Sequence, residues 1–241
     1  MLEDALQYPW TGEQKVETLA IGGILSLLGV FFVPMLFVYG YLVRVIRQVS
    51  SGDTDTPPAF DDWEELLVDG LVVFGISLVY FLVPSVILVS GLLVWLVPVG
   101  VGIGVGGNGG GALAAFGVLA SMAFTILGLL TLLAASYLVP AAVAAYARTG
   151  QFASAFSPAT LQTVGTDESY AVAWLLAVVI GFLAQVVGGA LTLTFVGAVL
   201  VPFVTFYGNV ASAYAIGAGV ADTPLVTDTR DSESATGQPA V

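Results

Sequence analysis

Two sets of polar side chains in this sequence could do chemistry. The first is neutral and sits inside apolar stretches: Gln185, then Thr205 and Asn209 at i and i+4, with Ser212 a turn further on. In hydrocarbon each amide must find a partner. These groups therefore either join helices through hydrogen bonds, at roughly 0.6 kcal/mol per contact, or line a path for an uncharged solute. The second set is ionic. Arg44 and Arg47 stand one helical turn apart at the end of one apolar run, Arg148 ends another, and an acidic stretch holds Asp53, Asp55, Asp61, Asp62, Glu64, Glu65 and Asp69 around Trp63. Arginines so placed anchor a helix end at a membrane face, meet anionic headgroups, or pair with those carboxylates. Arg44, Arg47, Trp63 and Arg148 are the candidate contacts at the cytoplasmic face.

Several chemistries are excluded by what the chain lacks. It has no cysteine and no histidine, which removes disulfides, thiolate nucleophiles, imidazole bases and the commonest zinc, haem and iron–sulfur ligands. The acidic stretch does not have the ligand spacing of an EF-hand, and reads as a solvated face. Gly102, Gly104 and Gly107 match G-x-G-x-x-G, but no βαβ unit surrounds them. No catalytic constellation, metal site or cofactor site emerges, and the expectation is a protein that is not an enzyme. With 17 acidic against 5 basic residues and a net charge of −12, nucleic acid is not an expected partner.

The elements that position these residues are apolar helices. Hydrophobic residues make up 58% of the chain and charged residues 9%, against roughly 45 to 50% and 25% in an ordinary soluble domain. Between Gly70 and Ala147 there is no Asp, Glu, Lys or Arg at all. A helix needs about 20 residues to cross a bilayer core of about 30 Å, so this run crosses at least twice. The expected fold is all-α: a polytopic transmembrane bundle of about five spans, near 19–47, 71–97, 112–147, 170–187 and 191–219. Pro34, Pro84, Pro140 and Pro202 fall inside spans, where a kink or neighbouring helices must absorb the lost hydrogen bond. Turns are expected in the glycine run Gly100–Gly111 and at Gly188-Gly189.

Around this domain, 19–220, lie a polar segment 1–18 and an acidic tail 221–241 that reads as disordered. Tyr8, Pro9 and Trp10 are either a headgroup-level anchor or part of a loose terminus. Trp63, Leu66, Leu67 and Gly70 recur at helical spacing behind Asp61, giving either a short surface helix or the capped start of the next span. The distribution of arginines puts both long loops and the tail in the cytoplasm, with five spans leaving the N-terminus outside. The location is the cell membrane, crossed several times. Few lysines and many carboxylates suit a surface hydrated in concentrated salt, where the Debye length falls to roughly 3 Å at 1 M; a halophilic archaeon is the expected source.

A weak internal repeat runs through the spans. Pro34 is followed by Tyr39-Gly40 as Pro202 is by Tyr207-Gly208, with Tyr146 after Pro140, and the loops that follow carry Ala59-Phe60 and Ala155-Phe156. The segment from Gly22-Gly23 through Pro34, Tyr39-Gly40-Tyr41 and Arg44-Val-Ile-Arg47 to Pro58-Ala59-Phe60-Asp61-Asp62-Trp63 and Asp69-Gly70 resembles a family of haloarchaeal integral membrane proteins, the domain-of-unknown-function family 4013. The resemblance implies habitat, membrane location and architecture, and assigns no activity or site residue.

Small residues at four-residue spacing, Ala177-Gly181-Gln185-Gly189 and Ala211-Ala215-Gly219, mark faces for close helix packing. The expected function is helix packing or scaffolding within a membrane complex, with the bilayer and a second copy or another membrane protein as partners, met at the cytoplasmic face through the two Ala-Phe loops. The alternative is a transporter or permeation path for an uncharged or lipid-like solute, which requires Gln185, Thr205 and Asn209 to share one cavity.

Overall fold

The computed structural model describes residues 1–105 and 107–223, with the backbone alone at 99, 102–105 and 107–109. Among these there is no strand. The helices are α1 Leu2–Gln7, α2 Lys15–Leu27, α3 Val33–Ser50, α4 Trp63–Val105, α5 Gly107–Thr149, α6 Pro158–Gly165, α7 Glu168–Leu191 and α8 Phe195–Val220. Four segments, Trp63–Pro98, Gly110–Thr149, Glu168–Leu191 and Phe195–Val220, are long and apolar enough to cross a membrane. A fifth is counted if Leu2–Trp10 and Lys15–Phe31 form one span, although these are bent at 91°. The all-α bundle expected from composition is therefore the architecture found.

Three local expectations are corrected and one open alternative is decided. The single helix over 19–47 is two: α2 ends at Leu27, a 3-10 turn spans Leu28–Phe31, and Phe32 takes φ +57° before α3 begins. Pro34 does not kink a span but stands in the first turn of α3, where its missing N–H has no helical partner to lose. The turn at Gly188-Gly189 falls instead at Thr192–Thr194; α7 runs on to Leu191, and Thr194 caps α8 by accepting from Gly197 N at 3.0 Å. Of the two readings of the segment before the second span, the structure shows the start of the span itself and no separate surface helix. Leu66 N donates to Asp62 O at 3.1 Å, and α4 continues unbroken from Trp63 through Pro84 and Pro98.

Helix α4 ends at Val105 and α5 starts at Gly107; residue 106 of the glycine run, where a turn is expected, lies outside the described residues, as do 224–241 of the acidic tail. The described start of that tail is held in place, for Thr223 is buried.

The chain forms two compact units. Gly75–Val139 is one, a helical hairpin in which Leu88 meets Gly128, Gly91 meets Phe124 and Pro98 meets Gly117. That antiparallel register lets the backbones approach where a side chain is missing. Its outer faces are apolar and exposed, with Leu82, Val86 and Leu93 on one helix and Phe116, Leu119 and Met122 on the other.

The other unit joins Met1–Phe74 to the chain from Pro140 onward. Its centre is α8, which packs against α1, α2, α3 and α7. Ala211, Ala215 and Gly219 of α8 are buried, so this stripe makes the close packing its spacing announces. The α7 stripe does not: Gly181 and Gly189 face open space. The segment 1–18 is no loose terminus. Tyr8 is buried, its ring 4.6 Å from that of Tyr214 and its hydroxyl donating to Thr56 O at 3.2 Å, while Trp10 stays exposed beneath Lys15.

Candidate functional site

Helix α3 crosses the first turns of α4 at backbone contact. Gly40 lies against the carbonyl of Leu66 and Gly70 against that of Leu36, so a methyl group at either glycine would overlap the opposite backbone. This reciprocal, antiparallel crossing brings the arginine-bearing end of α3 beside the acidic start of α4. Leu66, Asp69, Gly70 and Val73 form the buried stripe of α4, and Glu65 precedes Asp69 by one turn.

The result is an arginine–carboxylate cluster. Arg44 donates to Ala59 O at 3.1 Å and to Glu65 Oε2 at 3.3 Å, and it also pairs with Asp61. Arg47 uses three N–H groups in three directions: Nε to Ala147 O at 3.1 Å, Nη1 to Glu65 Oε1 at 2.8 Å and Nη2 to Asp69 Oδ2 at 3.0 Å. Tyr146 completes it, its hydroxyl donating to Asp69 Oδ1 at 2.6 Å.

Burial separates the strong contacts from the weak. The Asp69 side chain is 4% exposed, against 65% for Asp61 and 50% for Glu65. Exposed pairs are worth about 0 to 1 kcal/mol and fade with salt, whereas a buried carboxylate must have both oxygens satisfied or the cost is several kcal/mol. Asp69 has both satisfied. Its expected place on a solvated face is therefore corrected; the Leu66–Gly70–Val73 periodicity was the signal that put it on the buried side.

An aromatic plug seals the cluster's flank. Phe60 stacks on Tyr41 at 4.1 Å between centroids and 8° between planes, and Phe206 and Trp63 lie 6.0 Å from Phe60. Trp63 also meets Phe37 edge-on at 5.4 Å and touches none of the arginines in the contacts described. Tyr41 donates to Pro58 O at 3.0 Å and Gln48 to Thr56 O at 2.8 Å, pinning the 51–62 segment. In the second Ala-Phe motif Ala155 is fully buried, while Phe156 is half-buried against exposed Phe152 of the same turn at 5.0 Å.

Arg148 lies outside this cluster and closes a different helix end. It donates to Val220 O at 2.6 Å and Thr223 O at 2.7 Å, satisfying orphan carbonyls at the negative end of α8, as Arg47 does for Ala147 near the end of α5. Thr223 in turn donates to Asp167 Oδ2 at 2.8 Å. That hydroxyl, with N–H groups of Ser169 and Tyr170, holds the Asp167 carboxyl below the usual carboxylate range.

The members of the neutral trio differ in exposure. Gln185 is exposed on α7 between exposed Phe182 and Val186, while Thr205 and Asn209 are half-buried on α8. Ser212 makes the interhelical bond, to Ala177 O at 3.3 Å. The three described cavities are lined by other residues; the largest, about 650 Å³, lies between α1 and Tyr207.

Among the described residues no three carboxylates gather in the way a bound cation would require, since Asp61, Glu65 and Asp69 are turned to guanidinium groups. What the cluster can do is mechanical: it ties α3, α4, α5 and the 51–62 segment together at one end of the bundle. No curated protein and no solved structure shows significant similarity to this chain. A model of the family described as "Protein of unknown function (DUF4013)" matches residues 23–193, which span the cluster, the plug apart from Phe206, and most of the long helices, and the chain belongs to that family.

Proposed function

We propose that this chain is an integral membrane protein that acts by helix packing, as a scaffold or component of a membrane complex, and not as an enzyme. The observation that carries this is the surface of the Gly75–Val139 hairpin, whose Leu82, Val86, Leu93, Phe116, Leu119 and Met122 are all exposed. Only lipid or another apolar protein face covers such a surface at low cost. The polar groups support the same conclusion. The buried side-chain nitrogens and oxygens described all have partners within the chain, and Arg44, Arg47 and Arg148 are committed to internal contacts, so the cluster serves assembly of the bundle.

The acidic excess, 17 residues against 5, supports residence in the cell membrane of a halophilic archaeon. The exposure of Gln185, and the fact that none of Gln185, Thr205 and Asn209 lines the three described cavities, count against a path for a neutral solute.

The test has two stages. Membranes carrying the protein are washed in alkaline carbonate, and the retained protein is solubilised in mild detergent at high salt for native mass spectrometry and crosslinking. Retention with a second copy or another membrane protein bound is the expected result. Release by carbonate would overturn the membrane placement; a strictly monomeric protein that crosslinks to nothing would overturn the scaffold role.

A further inference from the structure

The segment from Lys15 to Ser50 has the length of one generous span but not its direction. Its two ends lie together: Tyr8 and Gln48 both donate to Thr56 O, at 3.2 and 2.8 Å, and Gly12 abuts the Thr56 side chain. Helix α3 therefore returns to the end from which α2 set out. The 91° bend between Leu2–Trp10 and Lys15–Phe31 also keeps that pair from being one straight crossing.

The depth of the hairpin is set by its register on α4. Gly40 meets Leu66, Leu36 meets Gly70, and the ring of Phe32 lies 4.9 Å from that of Phe74. At 1.5 Å per residue, Phe74 lies about 17 Å along α4 from Trp63, roughly half the 30 Å of a bilayer core. The hairpin turns there, while apolar α4 continues to Pro98.

The tip has the composition of a turn made in hydrocarbon. It reads Leu28-Gly29-Val30-Phe31-Phe32-Val33, with Val30 91% and Phe31 72% exposed and no charged or amide side chain. A turn in water favours Asn, Asp and Ser beside Gly and Pro. This one bonds its own backbone, Phe32 N to Gly29 O at 3.1 Å and Met35 N to Phe32 O at 3.0 Å, which reduces the unsatisfied polar groups that lipid penalises.

We propose that α2 and α3 form a re-entrant hairpin that dips into one leaflet, with Val30, Phe31 and Phe32 among acyl chains. The segment before α2 then lies on the same membrane side as the 51–62 and 150–167 segments and the end of α8. This replaces the topology with the N-terminus outside. Two further contacts agree: Tyr207 of α8 donates to Leu6 O, and Met1 shares a cavity wall with Glu168, Ser169 and Asp222. The proposal rests on the membrane placement argued above.

Because the chain has no cysteine, single substitutions at exposed sites report sidedness directly. Glu3→Cys, Asp53→Cys, Gln151→Cys and Leu193→Cys are treated with a membrane-impermeant maleimide in vesicles of each orientation. Glu3→Cys, Asp53→Cys and Gln151→Cys are expected to label in one orientation and Leu193→Cys only in the other. Val30→Cys, tagged with bimane, is expected to be quenched by lipids brominated in mid-chain. Labelling of Glu3→Cys from the Leu193 side, or of Val30→Cys by the impermeant reagent from that side, would overturn the hairpin while leaving the membrane placement intact. Labelling of Asp53→Cys and Leu193→Cys from the same side would instead overturn the membrane placement. Should a variant misfold, glutamyl-specific proteolysis of the unsubstituted chain decides: cleavage at Glu13 and Glu168 in the same vesicle orientation supports the hairpin, and in opposite ones refutes it.

Discussion

Replacing Asp69 with alanine removes the buried carboxylate on which Arg47 and Tyr146 converge, and the size of the loss follows from how each partner is left. The contacts are 3.0 Å to Arg47 Nη2 and 2.6 Å to the Tyr146 hydroxyl, on a side chain 4% exposed. Hydrogen bonds to charged groups are worth about 1.5 to 3 kcal/mol each. Arg47 is not orphaned, since its side chain is 33% exposed and keeps Glu65 and Ala147 O. Losing Asp69 also relieves that carboxylate's own desolvation, so the net destabilisation is about 2 to 3 kcal/mol, below the 3 to 5 expected when a lone buried charge remains.

Tyr146→Phe costs about 1 to 2 kcal/mol. The double variant falls short of the sum by about 1 kcal/mol, because both changes remove the same bond. Asp61→Ala, on a side chain 65% exposed, costs no more than about 1 kcal/mol. Unfolding is followed in detergent at low and at molar salt. The Asp61 effect disappears at molar salt as the Debye length falls to about 3 Å, while the Asp69 effect persists. An Asp61 loss equal to that of Asp69, an Asp69 loss abolished by salt, or strict additivity with Tyr146 would each refute the buried-cluster account.

Gly70→Ala, which drives a methyl group into the Leu36 carbonyl, should lower the yield of monodisperse protein sharply, whereas Gly181→Ala, facing open space, should leave it unchanged; size-exclusion profiles read both. Thr194→Ala removes the cap on Gly197 N and should cost about 1 kcal/mol in the same unfolding assay. Asp167 has its folded pKa lowered, chiefly by Thr223. Its contribution is therefore complete above the unfolded value of about 3.9 and is lost as pH falls through the folded value. A stability series from neutral pH into that acid range should show this loss, and Thr223→Val should flatten it.

Much of the fold was legible because crossing length is a local property of composition. The uncharged stretch from Gly70 to Ala147 announces long apolar helices whatever surrounds them, and α4, α5, α7 and α8 carry such runs. Their ends were less legible. Glycines that seemed to invite turns, Gly188 and Gly189, lie within α7. The real boundary uses Thr194 as a cap, a signal that a run of Leu, Thr and Val obscures. The candidate site was half visible. Arg44, Arg47 and the acidic stretch were evident as opposite charges, but their pairing depends on Gly40 and Gly70 meeting across two helices, and nothing in one strand of sequence specifies that register.

By itself, then, the sequence determined the helical class, apolar runs long enough to cross a membrane, the lack of thiol and imidazole groups and the presence of cations at helix ends. Tertiary structure alone decided that 15–50 turns back at Phe32, that Asp69 is buried between Arg47 and Tyr146, and that Gln185 is exposed while Asn209 is half-buried. The reason is physical. Hydrophobicity states how much surface must leave water, but in helices apolar on every side it does not say which side meets which. That choice is made by shape, through glycines that admit a neighbouring backbone, and by the few charged groups that must find one another once it has done so.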